Sequence, residues 1–149
     1  MRKGIITDRE SIYNILDNAE LLHLALCDEE GPFCVPVNHV RIGGRIVIHS
    51  GLRGRKAAAL RSGQKLGFSA VTDVRLKQGE QACSWGYYFR SVRGTGLASF
   101  VEEETQRRSD LEALVKRYTN VLPPINADVL AKTAIFSIEI TEATGRVRL

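Results

Sequence analysis

The sequence lacks paired metal-ligand motifs, long apolar runs and long basic runs. Its 149 residues include three cysteines, none in a CxxC pair, and three histidines without a cysteine or carboxylate at metal-ligand spacing. A structural zinc site and a disulfide framework are therefore not expected, and the thiols indicate a reducing, cytoplasmic location. No apolar stretch is long enough to span a bilayer. The segment Met1–Asp8 lacks the apolar stretch of a secretory signal.

Positive and negative charges are nearly balanced. The chain has 21 Lys and Arg against 17 Asp and Glu, a net charge of +4. The arginines are scattered, without the basic stripe typical of nucleic-acid-binding proteins. Apolar residues make up 44% and charged residues 26%, which is ordinary for a soluble globular protein. The length suits a single domain spanning residues 1–149.

The spacing of apolar residues predicts a mainly β chain with flanking helices. Thr7 and Glu10 fit a capping box, which predicts a helix over residues 8–18. The expected strands are 21–27, 33–40, 45–49, 65–72, 86–101 and 134–140, and further helices are expected at 52–61, from a second capping box at 109–112, and at 128–132. The first three strands are expected to form an antiparallel meander.

About six antiparallel strands in one small chain suggest a closed or partly closed barrel, because closure removes exposed edges. Pro36 lies inside the second strand and predicts an edge position or a bulge. Gly94 and Gly96 interrupt the longest extended run, which predicts a bend or a close approach of two backbones.

Residues 46–56 are the most informative segment for chemistry. They form a strand that ends at Ser50, then a basic turn and the start of a helix near Arg55 and Lys56. Free N–H groups at a helix start, together with cationic side chains, can bind an anion. The alternative is that the cations are solvated turn residues. The spacing of a P-loop is absent.

The order of several short motifs resembles one flavoprotein family. VPVN at 35–38, IHSG at 48–51 and GRK at 54–56 occur in the order found in the FMN-binding split-barrel proteins related to pyridoxamine 5′-phosphate oxidase. Further on, ACSWG at 82–86 and FRSV at 89–92 resemble the subgroup that contains the 5-nitroimidazole-resistance (Nim) proteins. The resemblance covers nearly the whole chain.

The resemblance implies a six-stranded antiparallel split β-barrel that forms a homodimer with two FMN sites at the interface. It places the flavin phosphate near the turn after the third strand, the ring against the second strand, and part of the long strand of the other subunit beside it. For the phosphate the resemblance nominates Ser50, Gly54, Arg55 and Lys56. For the ring it nominates Val35, Pro36, Val37 and Asn38, and from the other subunit Trp85, Tyr88, Arg90 and Ser91.

His49 and the aromatic cluster at 85–89 have two interpretations each, and the remaining histidines and Cys83 are interpreted as structural. His49 is the catalytic candidate, since imidazole can donate or shuttle a proton, or it is a strand-end residue that only packs. The aromatic cluster at 85–89 stacks on a flavin or substrate, or anchors a dimer interface. His23 and His39 are interpreted as structural, and Cys83 as a small buried hydrophobe.

The expected function is that of a flavin-dependent oxidoreductase. Reduced FMN would pass electrons to a small aromatic or nitro-type acceptor, with NAD(P)H as the candidate reductant. The alternatives are a non-catalytic flavin- or haem-binding protein of the same fold, an F420-dependent reductase, and a barrel that binds nucleic acid or another anion. The modest net charge argues against nucleic acid.

Overall fold

A computed structural model describes residues 3–149. The helices are α1 (Arg9–Asn18), α2 (Arg55–Arg61), α3 (Glu104–Val115) and α4 (Ala127–Lys132), and the strands are β1 (Ile5–Ile6), β2 (Leu22–Asp28), β3 (Gly31–Val37), β4 (Val40–Ile42), β5 (Arg45–Gly51), β6 (Lys65–Lys77), β7 (Gly86–Phe100) and β8 (Thr133–Arg148). The chain is mainly β with flanking helices, as the sequence predicted. Residues 1–2, part of the segment assessed for a secretory signal, lie outside the described residues.

All the strands belong to one antiparallel sheet with the order β3-β2-β6-β7-β8-β5-β4, and β1 also pairs with β8. Six strands have seven residues or more, and β1 and β4 are short. The architecture is that of a split β-barrel, as predicted. The sheet has eight strands where six were predicted, and the two additional strands are the short β1 and β4.

The predicted meander of the first three strands is wrong. β3 pairs only with β2, whereas β5 pairs with β4 and β8 on the other side of the sheet. Three consecutive residues of β5, Ile46 to Ile48, are fully buried, so this strand needs cover on both faces and lies inside the sheet. β3 is the terminal strand of the sheet, which confirms the edge position predicted from Pro36, a residue that cannot donate to a ladder.

The buried residues form two clusters on the two faces of the sheet. The larger cluster fills the barrel with the inward residues of β2, β5, β6, β7 and β8 and is covered by Ile12, Ile15 and Leu16 of α1. The smaller cluster joins β5 and β8 to α3 and α4 and consists of Val47, Leu111, Leu114, Leu130 and Ile135. Each fully buried leucine or isoleucine contributes about 1.5–3 kcal/mol relative to an exposed one.

Gly94 and Gly96 lie where the backbones of β7 and β8 approach most closely. A Cβ on Gly94 would collide with the Phe68 ring and the Glu142 carbonyl, and one on Gly96 would collide with Ile138. The register of β7 against β8 shifts between Thr95 and Gly96. The predicted close approach is therefore confirmed, and it bends the sheet toward closure.

Both predicted capping boxes are wrong. The first cap is Asp8 rather than Thr7, and its carboxylate accepts a hydrogen bond of 2.8 Å from an N–H of the first turn. α3 begins before the predicted box at 109–112, because the Glu103 carboxylate accepts two N–H groups of its first turn. In both helices a charged carboxylate at the start also interacts favourably with the helix dipole.

Three strands differ in extent from their predicted ranges. β6 continues to Lys77 and β8 to Arg148, beyond the predicted ends at 72 and 140, while β3 ends at Val37 and Val40–Ile42 forms a separate strand. β6 has no buried residue beyond position 72, although Val74 and Leu76 continue the apolar alternation and the pairing with β7 reaches Lys77. A register shift between Thr72 and Arg75 interrupts the pairing where the strand was predicted to end.

A buried ion pair attaches α3 to the sheet. The Asp110 side chain is fully buried and accepts two hydrogen bonds from the Arg45 guanidinium, at 2.9 and 2.7 Å. The Gln106 amide donates a third at 2.7 Å. Such a pair contributes orientation more than net stability, but the loss of one partner leaves an uncompensated charge.

A second polar network connects α1, the β3–β4 connection and the end of α3. His39 is fully buried, and its Nε2–H donates to the Leu16 carbonyl at 2.8 Å. The Arg117 guanidinium donates to the carbonyls of His39, Asp17 and Ala19. Burial, and then the charge of Arg117, lowers the pKa of His39 below 6.5. The structural interpretation of His39 is confirmed.

We expect Asp110→Ala to lower the free energy of unfolding by about 3–5 kcal/mol, because Arg45 would keep its charge next to the core without a partner. Urea denaturation measures the change. The double variant Arg45→Met/Asp110→Leu is the control, since it removes both charges and should lose much less. A loss in the double variant as large as in Asp110→Ala would contradict this account.

We expect the protein to lose stability in acid partly through His39. Because the pKa of His39 is lower in the folded chain than its ordinary 6.5, the unfolded chain takes up the proton first. The stabilisation is complete above pH 6.5 and falls as the pH drops through 6.5 toward the lowered pKa. Chemical denaturation from pH 7.5 to 5 should show a smaller decline for His39→Gln, and the exposed control His23→Gln should follow the unaltered protein.

Candidate functional site

The end of β5 and the start of α2 form the predicted anion site. Residues on β5 alternate, so Ser50 faces the same side as Ile46 and Ile48, and His49 faces the side of Val47. Ser50 is buried and His49 is half-buried. Gly54 precedes α2 with φ of 109°, a conformation that an L side chain rarely adopts. α2 has only seven residues, so any anion here depends mainly on side chains.

His49 and Lys56 are electrostatic neighbours. Burial lowers the pKa of His49 below 6.5, and the positive charge of Lys56 lowers that pKa further. The imidazole is therefore neutral at pH 7. In residues 3–149 no carboxylate forms an ion pair with Lys56, so its ammonium group is available to an external anion.

Arg55 is already bound within the chain. Its guanidinium donates to both carboxylate oxygens of Asp28, at 2.6 and 2.8 Å, and to the Gly31 carbonyl at 3.2 Å. The same group lies 4.0 Å from the centre of the Phe33 ring. Arg55 thus connects the start of α2 to the β2–β3 hairpin and brings the GRK motif next to the strand that carries VPVN.

The nominated residues of β3 lie along an edge of the sheet. Val35 and Val37 point inward, whereas Pro36 and Asn38 are exposed, and Asn38 follows the end of the strand. Because β3 pairs only with β2 among the described strands, N–H and C=O groups on its other edge have no strand partner. They can hydrogen-bond a planar heterocycle.

The four residues nominated on the long strand lie away from this site within one chain. α2 packs near Phe100, where the Arg61 guanidinium is 5.3 Å from the ring centre, and Trp85–Ser91 occupy the opposite end of β7. Arg75 stacks on Tyr88 at 4.4 Å, and Arg90 forms an ion pair with Asp73 at 3.4 Å. Trp85 is half-exposed. Cys83 is exposed too, so its predicted burial is wrong.

Ser91 instead lines a groove that the sequence did not reveal. This outer groove is a concavity of about 560 Å³ on the outer face of β2, β6, β7 and β8. Its polar residues are His23, Ser69, Ser91, Arg93, Thr144 and Arg146. Alternation alone indicates that each of them faces outward, but their proximity depends on strand register, for which the sequence carried no signal.

A larger concavity of about 790 Å³ lies between α1 and the outer parts of β7 and β8 and contains none of the nominated residues. Its charges are mixed: Arg9 and Arg45 line it together with Glu139 and Glu142, and Arg45 already forms an ion pair with Asp110.

In residues 3–149, no three His, Cys, Asp or Glu side chains are grouped so that they could hold a metal ion. Over the same range no helix is long and apolar enough to cross a membrane.

Solved structures with the same fold include several proteins of stated chemistry. A candidate 5-nitroimidazole antibiotic resistance protein from Bacteroides thetaiotaomicron VPI-5482 is 23% identical, with a TM-score of 0.84 over 96% of this chain and 86% of its own. The flavocytochrome Anf3 from Azotobacter vinelandii is 26% identical, with a TM-score of 0.89 over 100% of this chain and 72% of its own.

An FAD- and heme-binding protein from Mycobacterium smegmatis is 21% identical, with a TM-score of 0.87 over 97% of this chain and 73% of its own. No curated protein matches the chain. The family model described as pyridoxamine 5′-phosphate oxidase matches residues 8–147, which include β3, β5, α2 and the whole of β7. This match shows that the chain belongs to the pyridoxamine 5′-phosphate oxidase family.

Proposed function

We propose that the protein is a flavin-dependent oxidoreductase that binds FMN and reduces a small aromatic or nitro-type acceptor, with NAD(P)H as the reductant. The observation that carries the proposal is the position of Lys56, which has no carboxylate partner in residues 3–149. It lies at the start of α2, which Arg55 holds against the β2–β3 hairpin. The flavin- and heme-binding neighbours support it by analogy of fold. Bound flavin would supply the redox chemistry, and the protein would supply position and electrostatics.

The residues present fit a flavin phosphate. Lys56 offers an ammonium group without a carboxylate partner in the described chain. Ser50 was nominated as a hydroxyl donor as well, but its side chain is buried on the face of β5 opposite to His49. Arg55 was nominated as a phosphate ligand as well, but its Nε and Nη2 donors already bind Asp28. We therefore assign the phosphate contact mainly to Lys56 and assign Arg55 the task of holding α2 against the β2–β3 hairpin.

The backbone beside Val35–Asn38 fits the flavin ring. Alternate N–H and C=O groups of this edge strand can donate to and accept from ring heteroatoms. The Asn38 amide is exposed at the strand end and can do the same. Such hydrogen bonds would orient the ring and tune its electron affinity.

His49 is placed to handle a proton next to this site. A half-buried, neutral imidazole near Lys56 gives up a proton readily once it has been charged, because its surroundings disfavour the charge. Reduction of a nitro or carbonyl group requires protons at oxygen or nitrogen. We assign His49 the role of delivering such a proton.

We further propose that the protein works as a homodimer. The projecting ends of β6 and β7 expose Val74, Leu76, Trp85 and Tyr87, each by half or more of its surface. A second copy packed on this ribbon would cover apolar area and would bring Trp85, Tyr88, Arg90 and Ser91 to the Lys56 site of the first copy. The aromatic cluster would then serve both the interface and the flavin.

The visible spectrum of the purified protein tests the cofactor assignment. We expect a flavin spectrum and FMN as the released chromophore. A heme spectrum would favour the non-catalytic or electron-carrying alternative, and a deazaflavin spectrum would favour an F420-dependent reductase. A colourless protein that also fails to take up added FMN would contradict the proposal.

The variant Lys56→Ala tests the phosphate site. We expect the Kd for FMN to rise about 10- to 100-fold, because a charge-assisted hydrogen bond is lost, while the Kd for riboflavin, which has no phosphate, stays the same. Flavin fluorescence titration measures both values. Lys65→Ala is the control, since this exposed lysine is the first residue of β6 and lies beyond the C-terminal end of α2. Equal losses for FMN and riboflavin would reject the assignment.

The variant His49→Gln tests proton delivery. We expect it to retain FMN and to lose about 100-fold in kcat. In the unaltered protein kcat should rise as the pH falls through 6.5 toward the lowered pKa of His49, because the charged imidazole is the donor. Steady-state rates from pH 8 to 5.5 measure this. A variant with the same rate and pH profile would reduce His49 to a packing role.

A further inference from the structure

We infer that Asp28 is a positioning residue that joins the two halves of the flavin site. One half is the start of α2 with Lys56, which is assigned to the phosphate. The other half is the free edge of β3, which is assigned to the ring. Asp28 belongs to neither half and acts through Arg55. This role rests on the proposed function, because the flavin is what defines the two halves.

The hairpin turn between β2 and β3, residues 28–31, holds the Arg55 guanidinium from one side. Its Nε and Nη2 groups donate to the two carboxylate oxygens of Asp28 at 2.6 and 2.8 Å, and Nη2 also donates to the Gly31 carbonyl at 3.2 Å. A carboxylate oxygen of Glu30 lies 3.6 Å from Nε, and the centre of the Phe33 ring lies 4.0 Å from the guanidinium carbon. A planar fork bound at two points and stacked on a ring has one orientation.

Asp28 is itself fixed by the turn. One oxygen of its carboxylate also accepts the backbone N–H of Glu30 at 3.0 Å, which is an Asx turn. The hydrogen bond from Arg55, more than any other contact, holds the pKa of Asp28 below its ordinary 3.8. The carboxylate is therefore charged at pH 7, and it transmits the position of the turn to the first residue of α2.

The pair connects elements that otherwise carry the two halves separately. Lys56 directly follows Arg55, so their Cα atoms are about 3.8 Å apart, and β3 runs from Gly31 toward Val35 on the other side of the pair. Among the ion pairs of residues 3–149, only those of Arg55 link α2 to another element. The buried side chains of Ala59 and Leu60 anchor the rest of α2 in the core. Loss of the pair would therefore free the first turn of α2 rather than the whole helix.

A ligand with a ring at one end and a phosphate at the other gains most when both halves are held at the right separation in advance. The cost of ordering the first turn of α2 is then met by folding rather than by binding. Without the pair, the phosphate would have to order that turn. A ligand that carries only the ring would lose nothing. The measure of the coupling is the phosphate advantage, defined as the Kd for riboflavin divided by the Kd for FMN.

Asp28→Asn tests this role in the full-length, flavin-free protein by isothermal titration with FMN and riboflavin. Asparagine keeps an acceptor for the Glu30 N–H and removes the charge and the second acceptor. We expect the phosphate advantage to fall about three- to fivefold and the Kd for riboflavin to stay the same. Asp28→Glu should restore part of the advantage, because it keeps the charge. The matched control is Asp17→Asn, which breaks a similar two-point pair with Arg41 away from the site.

Double variants show whether Asp28 acts through Arg55 and Lys56. Arg55→Gln should lower the phosphate advantage as much as Asp28→Asn does, and the two changes together should lower it no further, because they remove one contact. In a Lys56→Ala background Asp28→Asn should have no effect, since the phosphate contact is already lost. Circular dichroism checks that each variant is folded, and Arg55→Gln carries the test if Asp28→Asn does not fold.

Every other outcome counts against the role. An unchanged phosphate advantage in Asp28→Asn makes the pair an ordinary surface contact, and a larger one makes Asp28 a competitor that withholds Arg55 from the phosphate. Equal losses for FMN and riboflavin reduce Asp28 to a support of the hairpin, and a loss in Asp17→Asn shows an effect of net charge. An unaltered protein that binds neither flavin would contradict the proposed function as well. A phosphate advantage that is lost in Lys56→Ala but survives Asp28→Asn would contradict the role of Asp28 alone.

Discussion

The pairing of β8 with two strands at once is the constraint on which the rest of the structure depends. Along its first half β8 pairs with β5 on one side and β7 on the other, and its second half continues along β7 and reaches β1. At Gly94 and Gly96 the absence of side chains lets β7 approach β8 and Phe68 more closely than any other residue would allow. The curvature encloses the core and leaves β3 as a free edge.

The arginines have divided roles within this frame. Arg45 binds Asp110 and holds α3 in position, and Arg55 binds Asp28 and holds α2. Arg117 donates to three backbone carbonyls and holds the end of α1. In residues 3–149 the two arginines of the outer groove, Arg93 and Arg146, form no ion pair. A count of positive residues therefore says little about binding. What distinguishes a binding cation from a structural one is whether the fold gives it a carboxylate.

Local chemistry explains which predictions succeeded. The inward leucines of β2, the edge position of Pro36 and the close approach at Gly94 and Gly96 follow from periodicity, a missing N–H and a missing side chain. The capping boxes were wrong because carboxylates cap both helices: Asp8 caps α1 one residue after Thr7, and Glu103 caps α3 six residues before Ser109. The meander failed because the chain leaves β3 at one edge of the sheet and forms β4 and β5 at the other side, where the buried β5 pairs with β8.

The sequence by itself determined the class of the fold, the positions of most strands and the basic segment after β5, because these depend on residues close together in the chain. Only the tertiary structure decided that Arg55 is held by Asp28 while Lys56 is not, and that Arg93 and Arg146 share one groove. The reason is physical: a charge takes its role from the groups it meets in space, and strand register, which brings those groups together, is settled by packing across the whole sheet.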